Sequence, residues 1–428
     1  MGKNKIKYKS YEEVAKMSRF DFAKKVRKPM VLLKPVMFLL SFPGYLLRHS
    51  KVKKINMKGL KPPYFMLVNH NSFFDFKVAT VSTYPRVGSS VVAIDGFINM
   101  EWLLRWIGCL GKRKFVNDTE LVFNIKHIIK NKKGIVTLYP EARYALVGTD
   151  SPLPDSLGKM VKMFGVPVVV LLNHGHHLGQ PVWNLKKRKN RTESELTQIL
   201  TTEDIKNMNV EQINEKIRES FVYDDYKWQK DNNIIIDEPF RAEGLHLPLY
   251  KCPICGDEHH MTSKGADLIC TNCGTTWHMN ELGELESDKK SFTHIPDWFN
   301  WERAEVRKEI ESGTYDYEAD IAIDSLPSSK GFYRLGNGHL SHTKDGFVVT
   351  GDFSPDFKIV KRPLENFGVH IEYNYFGKGN CVSLSTKDDT YYMFPLDQSN
   401  SVTKLHFAAE ELYDITKKEY EKLKKEKE

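Results

Sequence analysis

The chain has 428 residues, 41% hydrophobic and 12% aromatic, with 63 Lys and Arg against 55 Asp and Glu. That length exceeds one domain, and the composition excludes a disordered chain. Six cysteines in so long a chain exclude a secreted disulfide framework, and the opening MGKNKIKYKSYEEVAKM lacks the apolar core of a secretory signal.

The net charge of +8 is concentrated at the start, where residues 1 to 61 carry 17 Lys and Arg against 3 acids, leaving the remainder acidic. From Val31 to Leu47 the chain reads VLLKPVMFLLSFPGYLL, with Lys34 as its only charge and basic residues on both flanks. The run is short of the roughly 20 residues needed to span a bilayer, and Pro35 and Pro43 interrupt it. It reads as two short helices in a membrane interface, with Lys and Arg reaching headgroups. Lys51 to Leu60 reads as an edge strand ending at Gly59.

Tyr64 to Val68 is a short apolar run bounded by Pro63 and Asn69, the pattern of a buried strand. Ser72 followed three residues later by Asp75 marks a helix start. His70 therefore falls where a strand hands over to a helix, at the carboxyl edge where α/β sheets bind ligands. Asp75 in the first helical turn can accept a hydrogen bond from one ring nitrogen of His70, leaving the other to take a proton from a substrate hydroxyl. Asp75 can equally serve as an acid capping its helix.

Alternating strands and helices follow: a strand over Ser90–Ile94, a helix over Asn117–Lys130 capped by Asn117 and Glu120, a strand over Ile135–Tyr139, a helix over Lys159–Phe164 and a buried strand over Gly165–Leu172. Such alternation argues a mainly parallel sheet. Two further clusters fall beside strand ends, Lys112/Arg113/Lys114 and Glu141/Arg143, and together with a base they suit a substrate bearing a hydroxyl and a phosphate. His174, His176 and His177 have no well-placed acid or cysteine nearby in sequence and read as loop histidines at a substrate mouth rather than as metal ligands.

The order of these motifs resembles the glycerolipid acyltransferase superfamily, which includes 1-acylglycerol-3-phosphate O-acyltransferases. NHNSFFD matches that family's NHxSxxD block, YPEAR is similar to its FPEGTR block, and GVPVVV to its V-P-V block; the likeness covers roughly residues 50 to 235. Ala142 replaces the block's glycine, Arg143 comes one residue early, and Val170 stands where a second proline is usual. The resemblance implies that His70 is the base, oriented by Asp75. It also implies that Glu141 and Arg143 sit at the acceptor site; the family's second block is recognisable only as GCLGKRKF, residues 108 to 115, which holds Lys112, Arg113 and Lys114. It implies a thioester donor, acyl-CoA or acyl carrier protein, a lysophospholipid acceptor such as 1-acylglycerol 3-phosphate, and no metal in the acyl transfer itself.

CPICG at 252–256 and CTNCG at 270–274 form C-x2-C-x14-C-x2-C. Cys252, Cys255, Cys270 and Cys273 as four thiolates suit a closed structural zinc site, with iron as the alternative. Residues 250 to 290 hold 4 Lys against 7 acids, which gives no electrostatic support to nucleic-acid binding. Pro296–Gly313 reads as a helix, short alternating runs between Gly331 and Pro395 as antiparallel β structure, and Ala408–Glu428 as a terminal helix.

The expected organisation is membrane-interface helices in 1–50, an α/β acyltransferase domain in 51–240, a zinc ribbon in 246–290, a helical linker in 291–330, and a β-rich domain with a terminal helix in 331–428. The expected place is the cytoplasmic face of a membrane, with phospholipids as partners and a protein partner possible at the ribbon or the β domain. A different glycerolipid acceptor, or a non-catalytic zinc-ribbon membrane adaptor, are the alternatives.

Overall fold

The computed structural model describes residues 6–116, 118–397 and 401–426. The α/β part runs α1 Tyr11–Ala15, α2 Leu33–Leu47, β1 Lys51–Ile55, β2 Tyr64–Val68, α3 Phe74–Thr83, β3 Ser89–Ala93, α4 Glu101–Trp106, β4 Leu110–Lys112, α5 Thr119–Lys126 and β5 Ile135–Leu138. It continues through α6 Ser156–Phe164, β6 Val168–His174, α7 His176–Gly179, β7 Glu193–Leu200, α8 Thr202–Asn207, α9 Val210–Glu219 and α10 Asp225–Asp231.

Its seven strands form one sheet in the order β1-β7-β6-β2-β5-β3-β4. Every pair is parallel except β6 with β7. β2 lies between β6 and β5, and its five side chains are all buried. At ~1.5–3 kcal/mol for each large apolar side chain removed from water, this strand anchors the sheet. A strand buried on both faces needs a continuous apolar run rather than alternation, which is why YFMLV was legible. On one face pack Ile125, Ile128 and Ile129, all fully buried, together with Val161 and Phe164 of α6. On the other lie Phe74 and Val78 of α3.

α6 ends at Gly165, whose φ of 60° is the left-handed conformation that closes many helices. α5 is capped by Asp118, whose carboxylate accepts from the Leu121 N–H at 3.0 Å. Asn117, read as that cap, lies outside the described residues.

The N-terminal segment differs from its reading. A single helix, α2, runs through Pro43 in place of two short ones. Pro35 sits in the first turn, where its missing N–H costs nothing, and only Pro43 removes an interior hydrogen bond. At about 22 Å, α2 is too short to cross a bilayer. Among the described residues no helix is long and apolar enough to span a membrane.

Beyond the α/β part, β8 Met261–Lys264, β9 Asp267–Cys270, β10 Thr276–Met279 and β11 Leu285–Glu286 make a small antiparallel sheet. α11, Ile295–Ser312, follows. Seven further strands then form a second large sheet, antiparallel throughout: β12 Tyr317–Ser325, β13 Tyr333–Thr343, β14 Gly346–Gly351, β15 Ser354–Lys361, β16 His370–Glu372, β17 Cys381–Ser385 and β18 Thr390–Pro395. Their order is β15-β14-β13-β12-β18-β17-β16, and α12, Val402–Lys425, closes the chain.

These parts are not separate beads. Val147 and Trp183 of the α/β part, Trp277 of β10, Trp298 of α11, Ile321 of β12 and Phe407 of α12 belong to one continuous buried apolar cluster.

Candidate active site

β2 delivers Asn69 and His70 to the carboxyl edge of the sheet. Asn69 is fully buried and ties this edge to β6: its amide donates to the Asn173 carbonyl at 2.9 Å, and its Oδ1 accepts from the Asn173 N–H at 2.8 Å. The chain then turns into α3, whose first N–H, that of Phe74, donates to Ser72 Oγ at 3.3 Å. Asp75 reaches back to the turn before the helix, taking the Asn71 N–H at 2.7 Å and the Ser72 N–H at 3.0 Å on Oδ2. The same Oδ2 lies 3.2 Å from His70 Nδ1. The acid that holds this turn and the histidine's partner are thus one residue in one geometry.

His70 is held on three further sides. Its N–H donates to Glu141 Oε2 at 2.7 Å, and its carbonyl accepts from the Ala145 N–H at 2.7 Å. Its ring lies between those of Tyr139 and Tyr144, with centroids 4.3 and 4.2 Å away. With Nδ1 on the carboxylate, Nε2 has no hydrogen-bond partner among the described residues, and the side chain keeps 22% of its surface open. A ring fixed at one nitrogen and open at the other can take a proton from a bound hydroxyl.

Asp75 is completely buried. Burial alone would raise its carboxyl, but hydrogen bonds from His176 and His70 outweigh it and hold the group below the usual carboxylate range. Glu141 is equally buried, and burial pushes it up to about 8 against the opposing pull of its backbone N–H donors and Arg143. Its two oxygens bridge the His70 and Ser151 N–H groups, so it fixes the two loops against each other.

The predicted cations are placed differently from one another. Arg113 is buried and donates to the carbonyls of Leu326, Pro327 and Asp388 and to Thr390 Oγ1, all in the C-terminal part. Arg143, two residues past Glu141, is also buried and pairs with Glu410 of α12, which Arg303 of α11 contacts at 2.7 Å. Both guanidiniums therefore tie the loops after β4 and β5 to the C-terminal elements. Lys112 donates to the Val116 carbonyl at 3.2 Å, and Lys114 Nζ lies 2.6 Å from His370 Nε2 of β16.

The three histidines of NHGHH are not loop residues: His174 ends β6, and His176 and His177 open α7. His176 and His177 are fully buried, and His174 is stacked on Trp228. His176 Nδ1 lies 2.6 Å from Asp75 Oδ1. The acid that holds this ring lies 101 positions away in the chain, beyond the reach of local spacing. The signal available was the NHGHH cluster at the end of a buried strand.

The four cysteines of the small sheet come together, their sulfurs all within 4.8 Å of one another. Gly256 and Gly274, at φ 76° and 74°, close the two knuckles, each donating its N–H to the first cysteine carbonyl of its pair at 2.9 Å. The hydrogen bond with Thr275 leads in lowering the Cys273 thiol to about 6. Four clustered sulfur donors, with no further Cys, His or carboxylate in the group among the described residues, fit a metal ion held for structure.

No protein-family model matches the chain, and no curated protein matches it. Among solved structures it is similar to the crystal structure of the 1-acyl-sn-glycerophosphate (LPA) acyltransferase PlsC from Thermotoga maritima. The two share 12% identity with a TM-score of 0.35, over 44% of this chain and 78% of that one. A likeness of that size carries no argument about chemistry.

Proposed function

We propose that this protein is a membrane-surface O-acyltransferase, with His70 as general base and Asp75 as its partner. The observation that carries the reading is His70 itself, with one nitrogen on a buried carboxylate, the ring clamped by two tyrosines and the other nitrogen open at a sheet edge. No serine or cysteine nucleophile is required when the acceptor brings the attacking oxygen. His70 Nε2 takes the hydroxyl proton, the oxygen bonds to the thioester carbonyl carbon, and the C–S bond breaks. The proton returns to the departing thiolate.

The surface beside the site supports a lipid substrate. Leu39, Leu40 and Leu47 of α2 are 66%, 72% and 81% exposed. Phe73, three residues from His70, is 65% exposed, and Trp102 of α4 is 60% exposed. Basic residues flank α2, so an anionic bilayer would meet both charge and apolar surface. The acceptor is a glycerolipid hydroxyl and the donor a thioester of coenzyme A or acyl carrier protein. Within that class 1-acylglycerol 3-phosphate rests on the sequence resemblance; Arg113 and Arg143 are engaged by the C-terminal elements, and Lys112 and Lys114 lie against the Val116 carbonyl and His370. Cys252, Cys255, Cys270 and Cys273 hold a structural zinc ion that takes no part in the transfer.

The test is acyl transfer by purified full-length protein from long-chain acyl thioesters to a panel of lysolipids and monoacylglycerol, with His70→Ala alongside. Transfer abolished by the substitution bears the reading out. Absence of transfer to every acceptor in the wild type, with zinc bound, favours the adaptor alternative instead.

A further inference from the structure

We propose that His176 is a positioning residue of the catalytic centre, the second histidine on one shared carboxylate; the proposal rests on the acyl-transfer reading of His70 above. Asp75 presents its two oxygens to different rings: Oδ2 to His70 at 3.2 Å, and Oδ1 to His176 at 2.6 Å. Without His176, Oδ1 would be a buried acceptor with no donor, and the carboxylate would be free to rotate away from His70.

The chemistry fixes the tautomer. His176 is fully buried, and burial first of all, with Arg48 nearby, lowers it below the ordinary histidine value despite the pull of Asp75. A neutral imidazole has one N–H, and at 2.6 Å from a carboxylate oxygen that N–H sits on Nδ1. Nε2 is then bare, in keeping with its lack of any hydrogen-bond partner among the described residues. His176 thus donates to Asp75 without bringing a charge, and the carboxylate keeps its negative charge for the imidazolium that forms on His70.

His176 is itself held from behind. Asp225 of α10 accepts the Gly175 N–H at 3.0 Å and the His177 N–H at 3.2 Å, so one carboxyl grips the backbone on both sides of His176. Gly175 turns the chain at φ 80° to make this possible. The Phe74 ring lies 4.8 Å from that of His176, and Arg48 stacks on Phe74 at 4.9 Å. A continuous set of contacts therefore runs from Asp225 through His176 and Asp75 to His70, with every member but the last buried.

Three substitutions in the full chain separate positioning from packing. The Asn side-chain amide nitrogen falls where His Nδ1 stands, and the Gln nitrogen falls where Nε2 stands. His176→Asn keeps a donor toward Asp75, whereas His176→Gln and His176→Ala lose it. The expected result is kcat lowered about 10- to 100-fold in the Gln and Ala variants, the scale of one hydrogen bond to a charged group. KM stays unchanged, and His176→Asn recovers most of the loss. Equal activity in the Asn and Gln variants, or a change confined to KM, would overturn the proposal. Long-range 1H–15N spectra of histidine-labelled wild type test it without activity: a neutral Nδ1–H ring at position 176 is expected, and an Nε2–H ring refutes it. Wild type that shows the Nδ1–H ring yet transfers no acyl group to any acceptor would count against the proposed function, not against this hydrogen bond.

Discussion

Glu410→Gln removes the charge that holds Arg143. Glu410 sits on α12 with 3% of its side chain exposed, paired with Arg143, 4% exposed, and with Arg303 at 2.7 Å. Burial would raise its carboxyl, but Arg143, His406 and Arg303 together lower it to about 2 from an ordinary 4.5. At ~1.4 kcal/mol per tenfold change in acidity, that difference corresponds to about 3 kcal/mol of stability. Breaking a buried pair by deleting one partner costs about 3–5 kcal/mol, because Arg143 stays buried without its counter-charge, whereas Arg303 keeps Glu411 at 3.2 Å. The two figures agree, so Glu410→Gln is expected to lose about 3 kcal/mol or more, measured by urea denaturation at neutral pH. Because the folded value lies below the unfolded one, the wild-type advantage is complete above about pH 4.5 and disappears as pH falls toward 2. The gap between the two proteins should close over that window, with little dependence on salt. A loss under about 0.5 kcal/mol, or a gap that persists at the acid end, would refute the reasoning and return Arg143 to the substrate as an available cation.

Three other outcomes are expected. His70→Ala should lower acyl transfer about a thousandfold or more with the melting temperature nearly unchanged, since the ring is partly open; a loss under tenfold would remove its role as base. Stripping the metal with excess chelator should lower the melting temperature of the whole chain by about 10 °C or more, because Trp277 of the ribbon shares its apolar cluster with Trp183 and Phe407; an unchanged melt would show the ribbon to be an independent unit. Leu39→Glu with Leu40→Glu, at side chains already 66% and 72% exposed, should abolish flotation with anionic vesicles and leave turnover of a short-chain soluble acceptor intact; wild type that does not float, or undiminished flotation of the variant, would refute α2 as a membrane contact.

The strand, turn and helix around His70 were legible because they are local. A continuous apolar run specifies a strand buried on both faces, and an acid in a first helical turn meets the residue just before that helix whatever the rest of the chain does. The four cysteines were legible for the same reason, since the C-x-x-C spacing builds each knuckle by itself. α2 was misread because proline was weighed as a breaker, when one in the first turn and one interior proline leave a single helix standing.

What the sequence by itself determined is therefore chemistry within one turn of the chain: the histidine with its acid, and the sulfur cluster. What only the tertiary structure decided is which distant partners those groups meet. Arg113 and Arg143 stand at the loop positions where a phosphate clamp was expected. Buried guanidiniums need acceptors, and the C-terminal elements fill that need with carbonyls and with Glu410. Asp75 has a second oxygen that no local residue reaches, and only the packing of β6 against β2 brings His176 to it. Local spacing sets geometry over a few ångströms of backbone, whereas the pairing of long or buried polar side chains is settled by what the folded core places beside them.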